Sequence, residues 1–189
     1  LTSFRKKSSV NLLDLIKNDL SNLGINNPQL SFSFSKLLDF SSSGLDSINL
    51  LFSANKGYEL KKVTDIASGG EISRLMLCVK KHLFAVNNFS SIIFDEIDAG
   101  VSGEIGRKMG RVLKDMSQTR QVICITHLPQ IASLGDTHYY VYKDEAKTSS
   151  KTKIIKLTNS QRVEEIARML SGDEVNDEAF ANAKKMLDI

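Results

Sequence analysis

The sequence contains no tryptophan and only two cysteines and two prolines among its 189 residues. Cys78 and Cys124 lie in apolar sequence without C-x-x-C spacing, which argues against a disulfide framework and against a zinc site of that kind. Apolar runs are short, and none approaches the roughly 20 residues that a membrane-spanning helix needs. Leu1 to Val10 also lacks the apolar core and cleavage site of a secretory signal. We therefore expect a protein of a reducing, cytoplasmic compartment with no membrane partner.

A strong charge of one sign is also missing. The 25 Lys and Arg residues and 22 Asp and Glu residues leave a formal net charge of +3, too small to indicate nucleic-acid binding by itself. Basic residues are concentrated from Lys143 to Arg162, where six of them stand against Asp144 and Glu145. A solvated hairpin and a DNA-binding surface are both compatible with that segment.

What is present is the composition of a folded α/β domain, with 41% hydrophobic and 25% charged residues. Apolar residues from Leu12 to Leu23 recur at helical spacing before Gly24, which predicts an amphipathic helix. Alternating residues at 30–34 and 48–52 predict two strands joined at 41–44. The later pattern alternates strands with helices, as is typical of a parallel sheet. It predicts helices at 70–86, 104–116, 128–134, 160–170 and 176–187, and strands at 91–94, 122–126, 137–142 and 152–157.

Two adjacent carboxylates follow the apolar strand segment at 92–94. In an open parallel sheet, ligands bind beyond the carboxyl ends of the strands, where Asp95 and Glu96 would emerge. One carboxylate at such a position can hold Mg²⁺ while its neighbour deprotonates an attacking water. A strand that simply ends in polar residues is the alternative interpretation.

A Ser-Gly-Gly-Glu segment, residues 68–71, directly precedes the apolar positions of the helix at 70–86. Ser68 and Glu71 have the spacing of a capping box, in which each side chain bonds a backbone N–H group at the helix start. A capping box does not require two glycines in its middle, and each glycine costs a helix about 1 kcal/mol relative to alanine. Glycines let an anion such as a phosphate approach the N–H groups at the positive end of a helix.

His127 follows the strand at 122–126 and would surface at the same sheet edge as the carboxylates. A neutral imidazole there can hydrogen-bond a γ-phosphate or the attacking water. A lone histidine at a strand end is otherwise a turn or hydrogen-bonding residue. His82 and His138 have no comparable context, and we assign both to structural roles.

These three motifs, in this order, resemble the signature, Walker B and switch-histidine motifs of ABC-type ATPases. Five longer stretches, which together reach across most of the chain, resemble the RecN family of bacterial SMC-like DNA-repair ATPases. They are Phe52–Gly57, Val63–Arg74, Ile93–Gly103, Ile125–Ala132 and Arg162–Leu170. The resemblance implies that Asp95 coordinates Mg²⁺, Glu96 is the general base for water, and His127 is the switch histidine.

The resemblance also implies contacts with ATP across a dimer. The signature loop would contact the γ-phosphate of ATP bound to the opposite subunit, and it consists of Ser68, Gly69, Gly70 and Glu71. Asp98 to Ser102 would form the D-loop at the dimer interface. Ser102 stands where ABC transporters and most SMC proteins carry aspartate, a departure that RecN-like proteins share.

The phosphate-binding segment Gly-x-x-x-x-Gly-Lys-Ser/Thr does not occur in the sequence. In SMC-like proteins that loop lies in an N-terminal half of the head, which a long coiled coil separates from the C-terminal half. The resemblance thus implies that residues 1–24 end a coiled-coil helix and residues 25–189 form the C-terminal half of the head, largely a parallel sheet flanked by helices. It implies ATP and Mg²⁺ as cofactors. The implied partners are the N-terminal half of the same head, a second head in a homodimer, and double- or single-stranded DNA at the nucleoid.

Three other interpretations are compatible with the sequence. Asp95-Glu96-Ile97-Asp98 also fits the D-E-x-D motif of nucleic-acid helicases, although those proteins lack the Ser-Gly-Gly-Glu helix start. A nucleotide-independent module, which dimerises or binds DNA, would not need the carboxylate pair. Another ATPase head of the SMC or ABC type is the third alternative.

Overall fold

The computed structural model describes residues 1–66, 68–87, 89–146, 149–172 and 174–189, and only the backbone of 145, 146, 149 and 150. The fold is α/β and divides into two compact units. Unit 1 consists of Leu1–Ile92 and Ile97–Val101, and unit 2 consists of Ile93–Glu96 and Ser102–Ile189. In the described part of the chain, no helix is both long and apolar enough to cross a membrane.

Unit 1 consists of two helices and a three-stranded antiparallel sheet. Its elements are α1 (Thr2–Asn22), β1 (Gln29–Ser41), β2 (Gly44–Ser53), β3 (Lys61–Lys62), a 3₁₀ turn (Val63–Asp65) and α2 (Gly69–Val86). The strands pair in the order β1-β2-β3, with Leu30 opposite Phe52. The alternation expected from the sequence therefore forms the predicted hairpin, with longer strands.

The core of unit 1 lies where α1 packs on α2. Ile16 and Leu20 from α1, and Leu75 and Cys78 from α2, are at most 1% exposed. Burial of an aliphatic side chain of this size contributes roughly 1.5–3 kcal/mol. This apolar seam fixes the position of α2, which begins with the Ser-Gly-Gly-Glu segment.

Helix α1 begins earlier than its apolar pattern indicated. The Arg5 guanidinium donates to Asp46 at 2.6 Å and to the Ser43 carbonyl at 2.6 Å, and the Thr2 hydroxyl donates to Asp46 at 2.7 Å. The Thr2 bond and, after it, the Arg5 bond to the carboxylate lower the pKa of Asp46. The first turns of α1 are thus held by polar contacts with the hairpin, which helical periodicity does not reveal.

Unit 2 contains most of the strand–helix alternation. Its elements are most of β4 (Ser91–Asp95), α3 (Gly103–Ser117), β5 (Gln121–Ile125), α4 (Pro129–Ala132), β6 (Tyr139–Ala146), β7 (Ser149–Lys156), α5 (Asn159–Ser171) and α6 (Asp177–Met186). Strands β4 and β5 are hydrogen-bonded neighbours connected through α3, and β6 and β7 form an antiparallel hairpin. The chain from 143 to 162 is therefore mostly hairpin, and the turn expected at 144–150 includes Lys147 and Thr148, which lie outside the described residues.

Helices α5 and α6 pack through small and aliphatic side chains, including Val163, Ile166 and Ala183. Thr158 and Gln161 form a capping box at the start of α5, where the Thr158 hydroxyl accepts from the Gln161 N–H. The structure thus confirms both C-terminal helices predicted at 160–170 and 176–187.

We expect iodoacetamide to alkylate Cys124 and to leave Cys78 unmodified in the folded chain at pH 8. Burial, and to a lesser extent the Asp19 carboxylate, raises the pKa of Cys78 to about 12. Only about one Cys78 thiol in 10,000 is then the reactive thiolate at pH 8. Cys124 is partly exposed. Mass mapping after a timed reaction measures this difference, and equal labelling of both cysteines in the folded chain would contradict it; the urea-unfolded chain, in which both react, is the control.

Candidate functional site

The Ser-Gly-Gly-Glu segment lies at the start of α2, as the sequence predicts. Ser68 is the N-terminal cap residue in extended conformation, and its carbonyl accepts from the Ile72 N–H at 3.1 Å. Its side chain makes no capping hydrogen bond, so the expected capping box with Glu71 is wrong. The N–H groups of the first turn are therefore not used by a serine cap, and helix starts of this kind suit an anion. The preceding residue of the motif, Ala67, lies outside the described residues.

The two glycines of this segment have different surroundings. A Cβ atom at Gly70 would lie 2.6 Å from the Gly100 carbonyl oxygen and 3.2 Å from its carbon. Gly70 is buried, so unit 1 itself requires glycine at this position. A Cβ atom at Gly69 would meet nothing within 4 Å, and Gly69 is exposed. Its lack of a side chain is not explained by packing among the described residues.

The segment expected to be the D-loop contacts α2 where Gly100 meets Gly70. Gly100 has a left-handed φ of +68°, and the Val101 N–H donates to the Asp98 carbonyl at 3.1 Å. Asp98 is fully buried, whereas Ser102 is exposed at the start of α3. The structure therefore brings Gly70 and the turn at 98–101 together within unit 1.

A polar cavity of about 560 Å³ lies beside the first turn of α2 in unit 1. The polar and charged residues of its lining include Asn26, Asn27, Asn55, Lys56, Glu71 and Arg74. Of these six residues, only Glu71 was predicted from the sequence to be a site residue. The Asn55-Lys56-Gly57 segment was a usable signal, but Asn26 and Asn27 reach the cavity only because α1 ends beside α2.

Unit 2 contains the carboxylate pair. Asp95 is the last residue of β4 and is exposed, and Glu96 follows it, also exposed. Glu96 has a φ of +49°, in the left-handed region that costs a residue other than glycine about 1 kcal/mol or more. Strained backbone conformations cluster at functional sites, which makes Glu96 a candidate. Asp188, next to the end of the chain, has a similar φ of +53°, so the conformation alone does not identify a site.

His127 follows β5, the strand next to β4, and is exposed. The Thr126 hydroxyl accepts from the Leu128 N–H at 3.0 Å and so shapes the turn that contains the histidine. Glycines on α3 allow the next segment to pack closely, since Cβ atoms at Gly106 and Gly110 would lie 2.7 Å from Leu128 and Leu134 side chains. The spacing of these glycines is visible in the sequence, but their close contact with the segment after His127 could not be predicted from it.

The other two histidines have different surroundings. His82 Nε2 lies 2.8 Å from the Asp19 carboxylate, which fits the structural role expected for it. His138 is half-buried, and burial together with the nearby Arg162 guanidinium lowers its pKa. The buried His138 Nδ1 makes no hydrogen bond within the described part of the chain, and a structural role for this residue stays a prediction.

The Asp95 and Glu96 carboxylates fit a Mg²⁺ site that is completed by waters and phosphates better than a metal site made only of protein side chains. Among the described residues, no group of three or more His, Cys, Asp and Glu side chains could hold a metal ion. Mg²⁺ is commonly bound through one or two carboxylates together with waters and substrate phosphates. Asp95 is exposed and so fits binding of Mg²⁺ through one carboxylate together with waters and phosphates, and not a cage made entirely of protein side chains.

The chain is similar to curated DNA repair proteins named RecN. It is 35% identical to that of Halalkalibacterium halodurans over 193 residues, which covers 100% of this chain and 34% of that protein. It is 38% identical to that of Deinococcus radiodurans over 189 residues, which covers 99% of this chain and 33% of that protein. The chain therefore spans about a third of the length of these relatives. No family model matches it.

Solved structures show the fold. A chain from work on ATP-driven dimerization and DNA-stimulated activation of SMC ATPases matches 89% of this chain with a TM-score of 0.54 at 16% identity. That match covers 99% of the solved chain. The Smc head domain with a coiled coil and joint from Pyrococcus yayanosii matches 88% of this chain and 30% of that chain, with a TM-score of 0.65 at 15% identity. The chain thus has the fold of the C-terminal lobe of an SMC-type head, and it belongs to the RecN family, of whose members it represents the C-terminal part.

Proposed function

We propose that this chain is the C-terminal half of an ATPase head in a RecN-like DNA-repair protein. The head hydrolyses ATP at composite sites that form when two heads dimerise. The observation that carries the proposal is the exposed Asp95-Glu96 pair, with Glu96 in a strained left-handed conformation, on the strand next to the one that leads to His127.

The residues of unit 2 have the chemical groups that this reaction needs. Bound Mg²⁺ neutralises the charge that develops on the transferred phosphoryl group. Asp95 holds that ion, and Glu96 accepts a proton from the attacking water. His127 hydrogen-bonds the γ-phosphate or the water, as the family resemblance implies.

The residues of unit 1 recognise the ATP that the opposite head holds. Gly69 leaves the N–H end of α2 open to a γ-phosphate, and the absent Ser68 side-chain cap leaves those donors to the ligand. Ser68, Gly70 and Glu71 complete that loop, while Asp98 and Ser102 belong to the D-loop that faces the dimer interface. In this arrangement each head contributes half of each site.

Exposed apolar residues on β4 and β5 are evidence that an N-terminal half of the head covers this sheet in the whole protein. Ile93, Ile123 and Ile125 are 59%, 42% and 53% exposed, although a sheet flanked by helices on both faces normally buries such residues. Covering each would contribute roughly 1.5–3 kcal/mol. The occupant is the N-terminal half of the same head, which supplies the phosphate-binding loop that this sequence lacks.

DNA as the final partner is supported by the relatives' names more than by the basic segment. In that segment Lys153 pairs with Asp144, and Arg162 donates to the Ser133 and Gly135 carbonyls. These cations are thus partly neutralised or used to hold the fold together. We therefore assign binding of double- or single-stranded DNA, and with it a location at the nucleoid, to the whole protein and not to this segment alone. A nucleotide-independent binding module would not account for the strained carboxylate.

Glu96→Gln in the full-length protein should reduce ATP turnover at least about 100-fold, because glutamine cannot accept the proton from water. ATP binding should persist, and ATP-bound dimers should accumulate. Phosphate release and sedimentation with ATP and Mg²⁺ measure the two effects. Glu164→Gln changes an exposed glutamate on α5 and is the matched control, with turnover expected to stay unchanged.

The opposite result is informative as well. Unchanged turnover in the Glu96→Gln protein would show that Glu96 is not the base. Dimers that form equally without ATP would favour the nucleotide-independent module.

Replacing Gly69 and Gly70 by alanine one at a time should distinguish a loss of fold stability from a loss of nucleotide contact. Gly69→Ala should change the free energy of unfolding by less than about 0.5 kcal/mol, since its Cβ meets nothing within 4 Å. It should nevertheless reduce ATP-dependent dimerisation, because the methyl group occupies the open face of the loop. Gly70→Ala should destabilise the fold by about 1–3 kcal/mol through its clash with the Gly100 carbonyl.

Urea unfolding and ATP-dependent sedimentation of the two variants provide the comparison. Full ATP-dependent dimerisation of a stable Gly69→Ala protein would contradict the proposed role of the loop.

A further inference from the structure

Arg74 joins the first turn of α2 to the end of α1. Its Nε donates to the Gly70 carbonyl at 2.9 Å, and its Nη1 donates to the Leu23 carbonyl at 3.1 Å. Leu23 is the C-terminal cap residue of α1, and its side chain is 1% exposed. One guanidinium therefore binds both the signature turn and a helix end that lies 51 residues earlier in the chain.

Arginine suits this position for a physical reason. Carbonyl groups at the end of a helix have no partner within that helix, and an unsatisfied buried carbonyl is costly. The planar guanidinium presents several N–H donors at fixed angles, whereas a lysine ammonium is a point charge on a flexible stem. Arg74 therefore fixes the relative position of two backbone segments.

A second polar contact lies two turns further along α2. Lys81 Nζ and His82 Nε2 each lie 2.8 Å from an oxygen of the Asp19 carboxylate. The buried Leu20 and Leu75 side chains lie within the same α1–α2 seam. Polar contacts thus join α1 to α2 at both of these places, and the Arg74 contact includes the turn that carries Gly69 and Gly70.

We propose that Arg74 is a positioning residue for the nucleotide contact made by the first turn of α2. It acts by holding the Gly70 carbonyl against the end of α1. This inference rests on the proposed function, because it assigns Arg74 a role in presenting the Gly69 and Gly70 N–H groups to ATP. Arg74 also lines the polar cavity beside this turn, together with Lys56 and Glu71.

The test uses the full-length protein and compares Arg74→Gln with Asp19→Asn. Both variants weaken the α1–α2 seam, but Asp19→Asn leaves the bonds of Arg74 intact. In a Glu96→Gln background, we expect Arg74→Gln to raise the ATP concentration for half-maximal dimerisation about tenfold, the size expected for loss of hydrogen bonds to a charged group. We expect Asp19→Asn to change it less than about twofold, even where thermal unfolding shows a similar loss of stability.

Turnover of the protein with Glu96 intact gives a second readout. Arg74→Gln should raise the KM for ATP about tenfold while kcat stays within about twofold, because the loss lies in nucleotide contact and not in the proton transfer. Arg74→Lys keeps the charge and should restore part of the KM. It also provides a testable variant if Arg74→Gln does not fold.

The outcomes separate this inference from the proposed function. If Arg74→Gln and Asp19→Asn shift the ATP dependence equally, or neither shifts it, Arg74 is only structural and the inference is wrong. If the Glu96→Gln parent itself shows no ATP-dependent dimerisation, the proposed function fails, and the inference fails with it. A shift confined to the Arg74 variants supports both.

Discussion

The contact between Gly70 and Gly100 is the constraint on which the start of α2 in unit 1 depends. The two backbones lie so close that even a methyl group at residue 70 would overlap the Gly100 carbonyl. The start of α2 and the turn at 98–101 are therefore fixed relative to each other within unit 1. Arg74 holds the same helical turn from the α1 side. The turn is thus fixed from two directions, while Gly69 remains open to a ligand.

The candidate site of unit 2 combines a strained backbone with exposed apolar surface. Glu96 keeps a left-handed backbone although it is not glycine, so the surrounding structure must compensate for that energetic cost. The apolar residues exposed on β4 and β5 indicate a sheet that is incomplete in this chain alone. The carboxylate pair, the histidine and the uncovered sheet face are the features from which we propose half of a composite site, and the chain spans about a third of the length of its relatives.

Much of the fold could be predicted from periodicity. Alternation over 30–52 gave the correct hairpin, and the apolar spacing of α5 and α6 placed both helices within a few residues. Two features differ from the local pattern. The early start of α1 is held by Arg5 and Asp46, which lie 41 residues apart, and the Ser68 side chain makes no capping bond although its spacing to Glu71 fits one.

The sequence by itself determined where the candidate motifs lie: Ser68 to Glu71, Asp95, Glu96 and His127 were singled out by residue type, order and spacing, and their proposed roles come from the family resemblance. Local patterns suffice there because each motif is a short segment with a strand or helix beside it. Only the tertiary structure distinguished the two glycines, showed the left-handed Glu96 and brought Arg74 to the end of α1. These facts depend on distances between segments far apart in the chain, and such distances are set by packing that no local pattern encodes.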